Sequence, residues 1–190
     1  MSGGPNYVIT LLILVMLAYV IIIYNGLISL RNSVRRAWSN IDVLLMQRYD
    51  EIPKLVAVCE GYMSHERITL EEVVHARSLR DKADNPEQQT RASNSLSSAL
   101  QDLFAVSEKY PELKSDVNFR QLQGRISELE DQIADRREFY NESVTVYNNH
   151  VQKFPDSIIA SLFGHIPAHL WKIKKVHREI EKVSIRGSAD

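Results

Sequence analysis

The side chains that could do chemistry in this chain are few, and their spacing does not suit them to it. His65-Glu66 opens like a zinc-protease helix, in which two histidines four residues apart hold the metal and the glutamate activates water. The second position is Thr69, and His75 stands ten residues after His65. Cys59 is the single cysteine, which excludes an internal disulfide and a cysteine-rich metal site. It lies in the apolar run LVAVCEGY and reads as a buried thiol rather than a nucleophile. Glu71-Glu72 and the series Glu128, Glu130, Asp131, Asp135 are interleaved with Arg125, Arg136 and Arg137, the pattern of a solvated helix face. No glycine-rich phosphate loop and no G-x-S-x-G turn occurs. The expectation is therefore no catalytic set, no metal, no cofactor and no small-molecule substrate. One alternative remains, an unrecognised metal-dependent hydrolase built on Asp42, Arg48, Asp50, His65 and Glu66.

Residues 7–24, YVITLLILVMLAYVIIIY, say more about this chain than any polar cluster. The run has eighteen residues and no charge, glycine or proline. As a helix it is about 27 Å long, close to the ~30 Å hydrocarbon core of a bilayer. Residues 7–27 are expected to span a membrane. No Lys or Arg precedes the run, whereas Arg31, Arg35, Arg36 and Arg48 follow it. A cleaved signal peptide has its charge on the opposite side, so a retained anchor is expected. By the positive-inside tendency residues 1–6 face outward and the rest is cytoplasmic.

Charge divides the remainder. Residues 31–54 carry five basic and three acidic groups, residues 55–164 twelve and eighteen, and residues 165–190 six and three. An acidic body argues against nucleic acid. Basic ends suit an anionic membrane surface, which attracts each Lys or Arg by roughly 1 kcal/mol.

The elements that position these residues are helices. Glycine and proline are scarce, seven and six of 190, and no segment alternates like a strand. Turns are expected at 82–88 (KADNPEQ), 110–116 (YPELKSD), 154–156 (FPD) and 163–167 (FGHIP). Apolar residues step by 3 and 4 from Phe119 to Phe154, predicting a helix of some 38–40 residues. The same stepping runs from Leu27 to Tyr62. Each series has one four–four stutter, with Arg48 or Arg136 at it. An arginine in an interface needs a partner, and Asp42, Asp50 or Asp135 are the candidates. Pro53 leaves two outcomes open: a kinked helix continuing to about Leu79, which the unbroken stepping favours, or a new helix capped by Asp50. The second would give an up-and-down bundle of four helices.

Phe154, Ile158, Leu162, Phe163, Leu170 and Trp171 are followed by or mixed with Lys172, Lys174, Lys175 and Arg178. Such a basic amphipathic tail either lies at a membrane surface or against a partner, or packs on the bundle with its charges outward.

The blocks YNGLISLRNSVRRAWSNIDVLLMQRYDEIPKLV (24–56), GYMSHE (61–66), LEEVVHAR (70–77), RREFYN (136–141) and YNNHVQKFPDSIIASLFG (147–164) resemble the LemA family of bacterial proteins. The resemblance implies one N-terminal anchor, a cytoplasmic helical domain and no established biochemical activity. Its motif positions include Asn25, Arg31, Trp38, Asp42, Arg48, Asp50, Pro53, His65, Glu66, Arg77, Tyr140, Asn141, Phe154 and Pro155. The tail after Gly164 is longer and more basic than the family pattern. An all-α protein is thus expected: a transmembrane helix (7–27), an antiparallel bundle of three to four long helices (28–164) and a basic tail (165–190). The functional expectation is a scaffold at the cytoplasmic face of a bacterial inner membrane, self-associating and binding other inner-membrane proteins. Arg31, Arg35, Arg36, Trp171, Lys172, Lys174, Lys175 and Arg178 are the expected membrane or partner contacts. A membrane-surface sensor acting through the tail is the alternative.

Overall fold

Helix α1 (Gly4–Glu60) runs without interruption through 57 residues. The computed structural model describes residues 4–172, and all its regular elements are helical. The first part of α1 is long and apolar enough to cross a membrane, and nearly all of that stretch is exposed. From Leu27 onward the same helix turns one face inward: Leu27, Ala37, Ile41, Leu45, Ile52, Leu55 and Cys59 are buried. One helix thus carries two unlike surfaces, apolar all round and then apolar on one stripe.

Four more α-helices and a short 3-10 turn complete the bundle. Helix α2 (Arg67–Ser78) passes through a short 3-10 turn (Leu79–Lys82) and leads to α3 (Pro86–Ser107). Asn85 caps α3 by accepting from the Gln88 N–H, and Pro86 takes the first turn, where its missing N–H costs nothing. A single turn, α4 (Pro111–Ser115), precedes α5 (Val117–Gln152), which Asp116 caps through the Phe119 N–H. Helix α5 has 36 residues, near the length expected from its stepping.

Pairings fix the directions. Leu27 packs with Tyr147 and Val151, the Trp38 ring meets Tyr140, and Arg48 meets Glu130, so α5 runs antiparallel to α1. Arg77 and Arg80 reach Tyr49 and Asp42, so α2 and its 3-10 turn descend beside α1. Arg48 touches Ser93 and Ser97, and Phe104 meets Phe119, so α3 ascends. Up, down, up, down is the order. Short helix α6 (Asp156–Leu162) then packs at the Leu27 end, and residues 165–172 return as an extended strap.

Two expectations are corrected. The helix from the membrane was expected to continue to about Leu79; it ends at Glu60, and residues 61–66 turn the chain. Pro53 lies inside α1, so neither a break nor a new start occurs there. The signal for the true break was Gly61, which follows the last helical residue. The second correction concerns Arg136, expected in the interface: it is exposed on α5, and only Arg48 of the two stutter arginines is buried.

Candidate functional site

The most polar place inside the bundle is centred on Arg48, whose side chain is wholly buried. Its two terminal nitrogens donate to Ser97 Oγ at 2.9 Å, Ser93 Oγ at 2.8 Å and a Glu130 carboxylate oxygen. Ser97 Oγ also lies 3.0 Å from the second Glu130 oxygen. Three helices, α1, α3 and α5, are therefore joined by one guanidinium. Its fork geometry suits this task, because five fixed donors can serve several acceptors at once. The expected partners Asp42, Asp50 and Asp135 are replaced by Glu130. Asp42 instead pairs with Arg80 at 3.0 Å, while Asp50 and Asp135 are exposed.

Tyr49 sits beside this network, with the Arg48 and Arg80 guanidinium carbons each 5.6 Å from its ring centre. Burial pushes its phenol above the usual value, the Arg48 cation pulling the other way, so the ring meets both cations as a neutral aromatic face. Its main-chain carbonyl accepts from Arg77 Nε at 3.1 Å.

A second polar seam holds the strap. Asn148 accepts the Ala168 N–H at 2.8 Å and donates to the Ala168 carbonyl at 2.9 Å. Asn141 does the same for Trp171, at 2.8 and 3.1 Å. Each amide thus imitates a neighbouring strand. The register is geometric: seven helical residues advance about 10.5 Å, and three extended residues about 10 Å. Tyr140 donates to the His169 carbonyl at 2.9 Å, and Asn94 accepts the Trp171 indole N–H and donates to the Lys172 carbonyl. Trp171 is consequently buried, its ring 5.7 Å from that of Trp38.

Trp171 was expected at a membrane or partner surface, and its burial corrects that. The strap leaves the Tyr24 end and climbs to the level of Trp38, fourteen residues or about 21 Å along α1. Lys172 is exposed there, well beyond the apolar run. Lys174, Lys175 and Arg178 lie outside the described residues. Arg31, Arg35 and Arg36 are exposed in the turns after the apolar run, as is Asn25. His165, at the start of the strap, is buried within 3.2 Å of the Tyr147 hydroxyl; burial and then the Arg31 cation hold its imidazolium below the usual range.

The residues of the hydrolase alternative do not converge. Arg48 is sealed in the core, Asp42 is tied to Arg80, Asp50 and His65 are exposed, and Glu66 accepts from the Tyr110 hydroxyl at 3.0 Å. Among the described residues no three His, Cys, Asp or Glu side chains group as a metal site would require. A shallow cleft lined by Met63, Arg67, Glu71 and His75 opens between α1 and α2. Phe154 is exposed, Pro155 half-buried, and Cys59 buried, its thiol pushed up to about 12 by burial.

A family model described as LemA family matches residues 37–185. The chain belongs to the LemA family. It is also similar to magnetosome protein MamQ 2 of Paramagnetospirillum magneticum, 34% identical over 83 residues, which is 44% of this chain and 30% of the relative. MamQ of Magnetospirillum gryphiswaldense is 32% identical over 73 residues, 38% of this chain and 27% of that protein. The likeness thus spans less than a third of those relatives. Within this LemA-family chain, Ser93, Ser97, Glu130, Asn94 and Asn148 are the residues that sequence reasoning missed. Ser93 and Ser97 did leave a trace: two hydroxyls at i and i+4 on a helix face that also carries Ala92, Leu96, Ala99, Leu100 and Leu103. For the two asparagines there was none, because their partners are main-chain atoms.

Proposed function

We propose that this protein is a non-enzymatic, membrane-anchored helical scaffold at the cytoplasmic face of a bacterial inner membrane, with residues 7–27 crossing the bilayer and the N-terminus outside. It displays the bundle at a set distance from the lipid, self-associates and binds other inner-membrane proteins. One observation carries this: the apolar stretch and the first bundle helix are a single unbroken α1. No linker uncouples them, and the Arg48 and asparagine seams make the bundle rigid around it. At the centre of the network the Arg48 side chain is wholly buried, which supports a structural role for the most polar cluster of the core. The similarity to MamQ covers under half of the chain, and we take from it a shared helical unit rather than a shared assembly.

Topology is tested with single cysteines at Ser2 and at Ser39 in intact spheroplasts, using a membrane-impermeant thiol reagent. Labelling at Ser2 and protection at Ser39 are expected; the reverse pattern overturns the orientation, and extraction of the protein by alkaline carbonate overturns the anchor. In-cell crosslinking with mass spectrometry tests the scaffold role. Recovery of the protein without crosslinks to itself or to any membrane protein overturns it.

A further inference from the structure

Helix α6 and its flanking turns present an apolar surface that the bundle does not use. Ile158 and Leu162 stand at i and i+4 on one face of α6, and both are exposed, Leu162 at 73%. Phe154 before the helix and Phe163 and Ile166 after it are exposed as well, at 75%, 51% and 76%. Five large apolar side chains are thus left open to water, where burial would be favourable. A contiguous patch of this kind marks a contact surface.

What covers it follows from where it sits. The opposite face of α6 packs on α1: Ala160 is buried beside Leu27, with Ile23 and Ile159 against them. The Phe163 ring lies 4.6 Å from the ring of Tyr24, the last residue of the apolar run. The patch is therefore continuous with the exposed surface of the span itself, at the depth where α1 leaves the hydrocarbon. The strap then carries the chain away from that depth, and Asp156, the acidic group at the start of α6, is paired with His150.

We propose that residues 154–166 form a foot dipped into the lipid interface, a second membrane contact that grips the bilayer beside the transmembrane helix. This rests on the anchor proposed above. The foot gives the bundle a fixed tilt as well as a fixed height, because tipping the helix away from that side would lift the apolar foot out of the interface. Short amphipathic elements bind interfaces in this way, with the apolar face buried ~5–10 Å into the headgroup and acyl boundary.

The test uses the full chain in nanodiscs of anionic and zwitterionic lipid, with an environment-sensitive fluorophore on one introduced cysteine at a time. Cys59 is buried and does not compete for the label. The sites are Leu162 and Ile158 on the foot, Leu14 inside the span, and Ile68, exposed at the far end of the bundle. Bromine-bearing lipids quench a label that touches acyl chains. Strong quenching at Leu14, Ile158 and Leu162 with none at Ile68 is expected. Quenching at Leu14 alone, with water-like emission at Leu162, overturns the foot and leaves the anchor standing. Shielded emission at Leu162 without quenching means that protein, such as a second copy, covers the patch, and overturns the lipid assignment. Absence of quenching at Leu14 overturns the anchor itself. Equal quenching at Ile68 means that the bundle lies flat on the membrane, which overturns the foot as a localised contact.

Discussion

The Nε–H of Arg77 donates to the main-chain carbonyl of Tyr49 at 3.1 Å. That carbonyl is the one Pro53, four residues on, leaves without its helical donor. Helix α2 thus repairs the hydrogen-bond ladder of α1, and the helix passes through a proline that would otherwise break or kink it. Pro53 itself is exposed, so its ring displaces solvent rather than core side chains.

Arg77→Ala is expected to destabilise the bundle by about 1–2 kcal/mol, because a part-buried carbonyl loses its only donor. In a Pro53→Ala background the helix supplies its own N–H, and the same substitution should cost much less. Urea denaturation of the four variants of this cycle measures the coupling; equal costs in both backgrounds would show that Arg77 acts elsewhere.

Glu130→Ala should cost about 3–5 kcal/mol, toward the lower end because Glu130 is 31% exposed, since it strands the buried Arg48 cation. Replacing both partners, Arg48→Met with Glu130→Leu, should recover most of that loss. A double variant as unstable as Glu130→Ala would argue that the pair itself, rather than the stranded charge, sets the cost.

Asn141→Ala removes both bonds to Trp171 and leaves the half-buried main-chain groups of the strap unpaired, an expected cost of about 1–3 kcal/mol. Hydrogen exchange should rise at residues 168–172 and stay unchanged at 126–133. Asn141→Asp keeps the acceptor and loses the donor, so the Trp171 N–H should remain partly protected.

His165 ties stability to pH. Its folded pKa lies below the ordinary 6.5. Well above pH 6.5 the contribution is complete, since neither state is protonated. As pH falls below 6.5 the unfolded chain binds a proton that the folded chain refuses, and stability is lost until the folded pKa is passed. The difference between wild type and His165→Gln, followed by denaturant midpoint from pH 8 to pH 5, should shrink in that direction.

Cys59, with its thiol raised to about 12 and its side chain buried, should be inert to thiol reagents at pH 8 until the protein unfolds. Modification of folded protein at the rate of a model thiol would overturn its placement in the core.

Much of the architecture was readable from local patterns. The run from Tyr7 to Tyr24 and the 3–4 stepping after Leu27 and Phe119 specify long helices, because side-chain period follows from helix geometry alone. Asn85-Pro86 and Asp116 announce their helix starts, since a cap acts within three residues of itself. The break after Glu60 was masked: the apolar stepping continues through it, and Pro53 nearby is a stronger local signal than Gly61. Stepping could also not tell Arg48 from Arg136, both at stutters, because only the opposing helices decide which one meets a carboxylate.

By itself, then, the sequence determined that the chain is helical, most of the apolar stripes of α1 and α5, and which stretch is apolar all round. These are properties of neighbours along the chain. Tertiary structure alone decided that Glu130 answers Arg48, that Arg77 mends α1 at Pro53, that Asn141 and Asn148 bind a strap, and that Phe163, just after α6, lies beside Tyr24. Each of these joins residues far apart in sequence, often through main-chain atoms that every residue carries. Their partners are selected only when four helices pack and bring most of the buried polar groups within reach of one another.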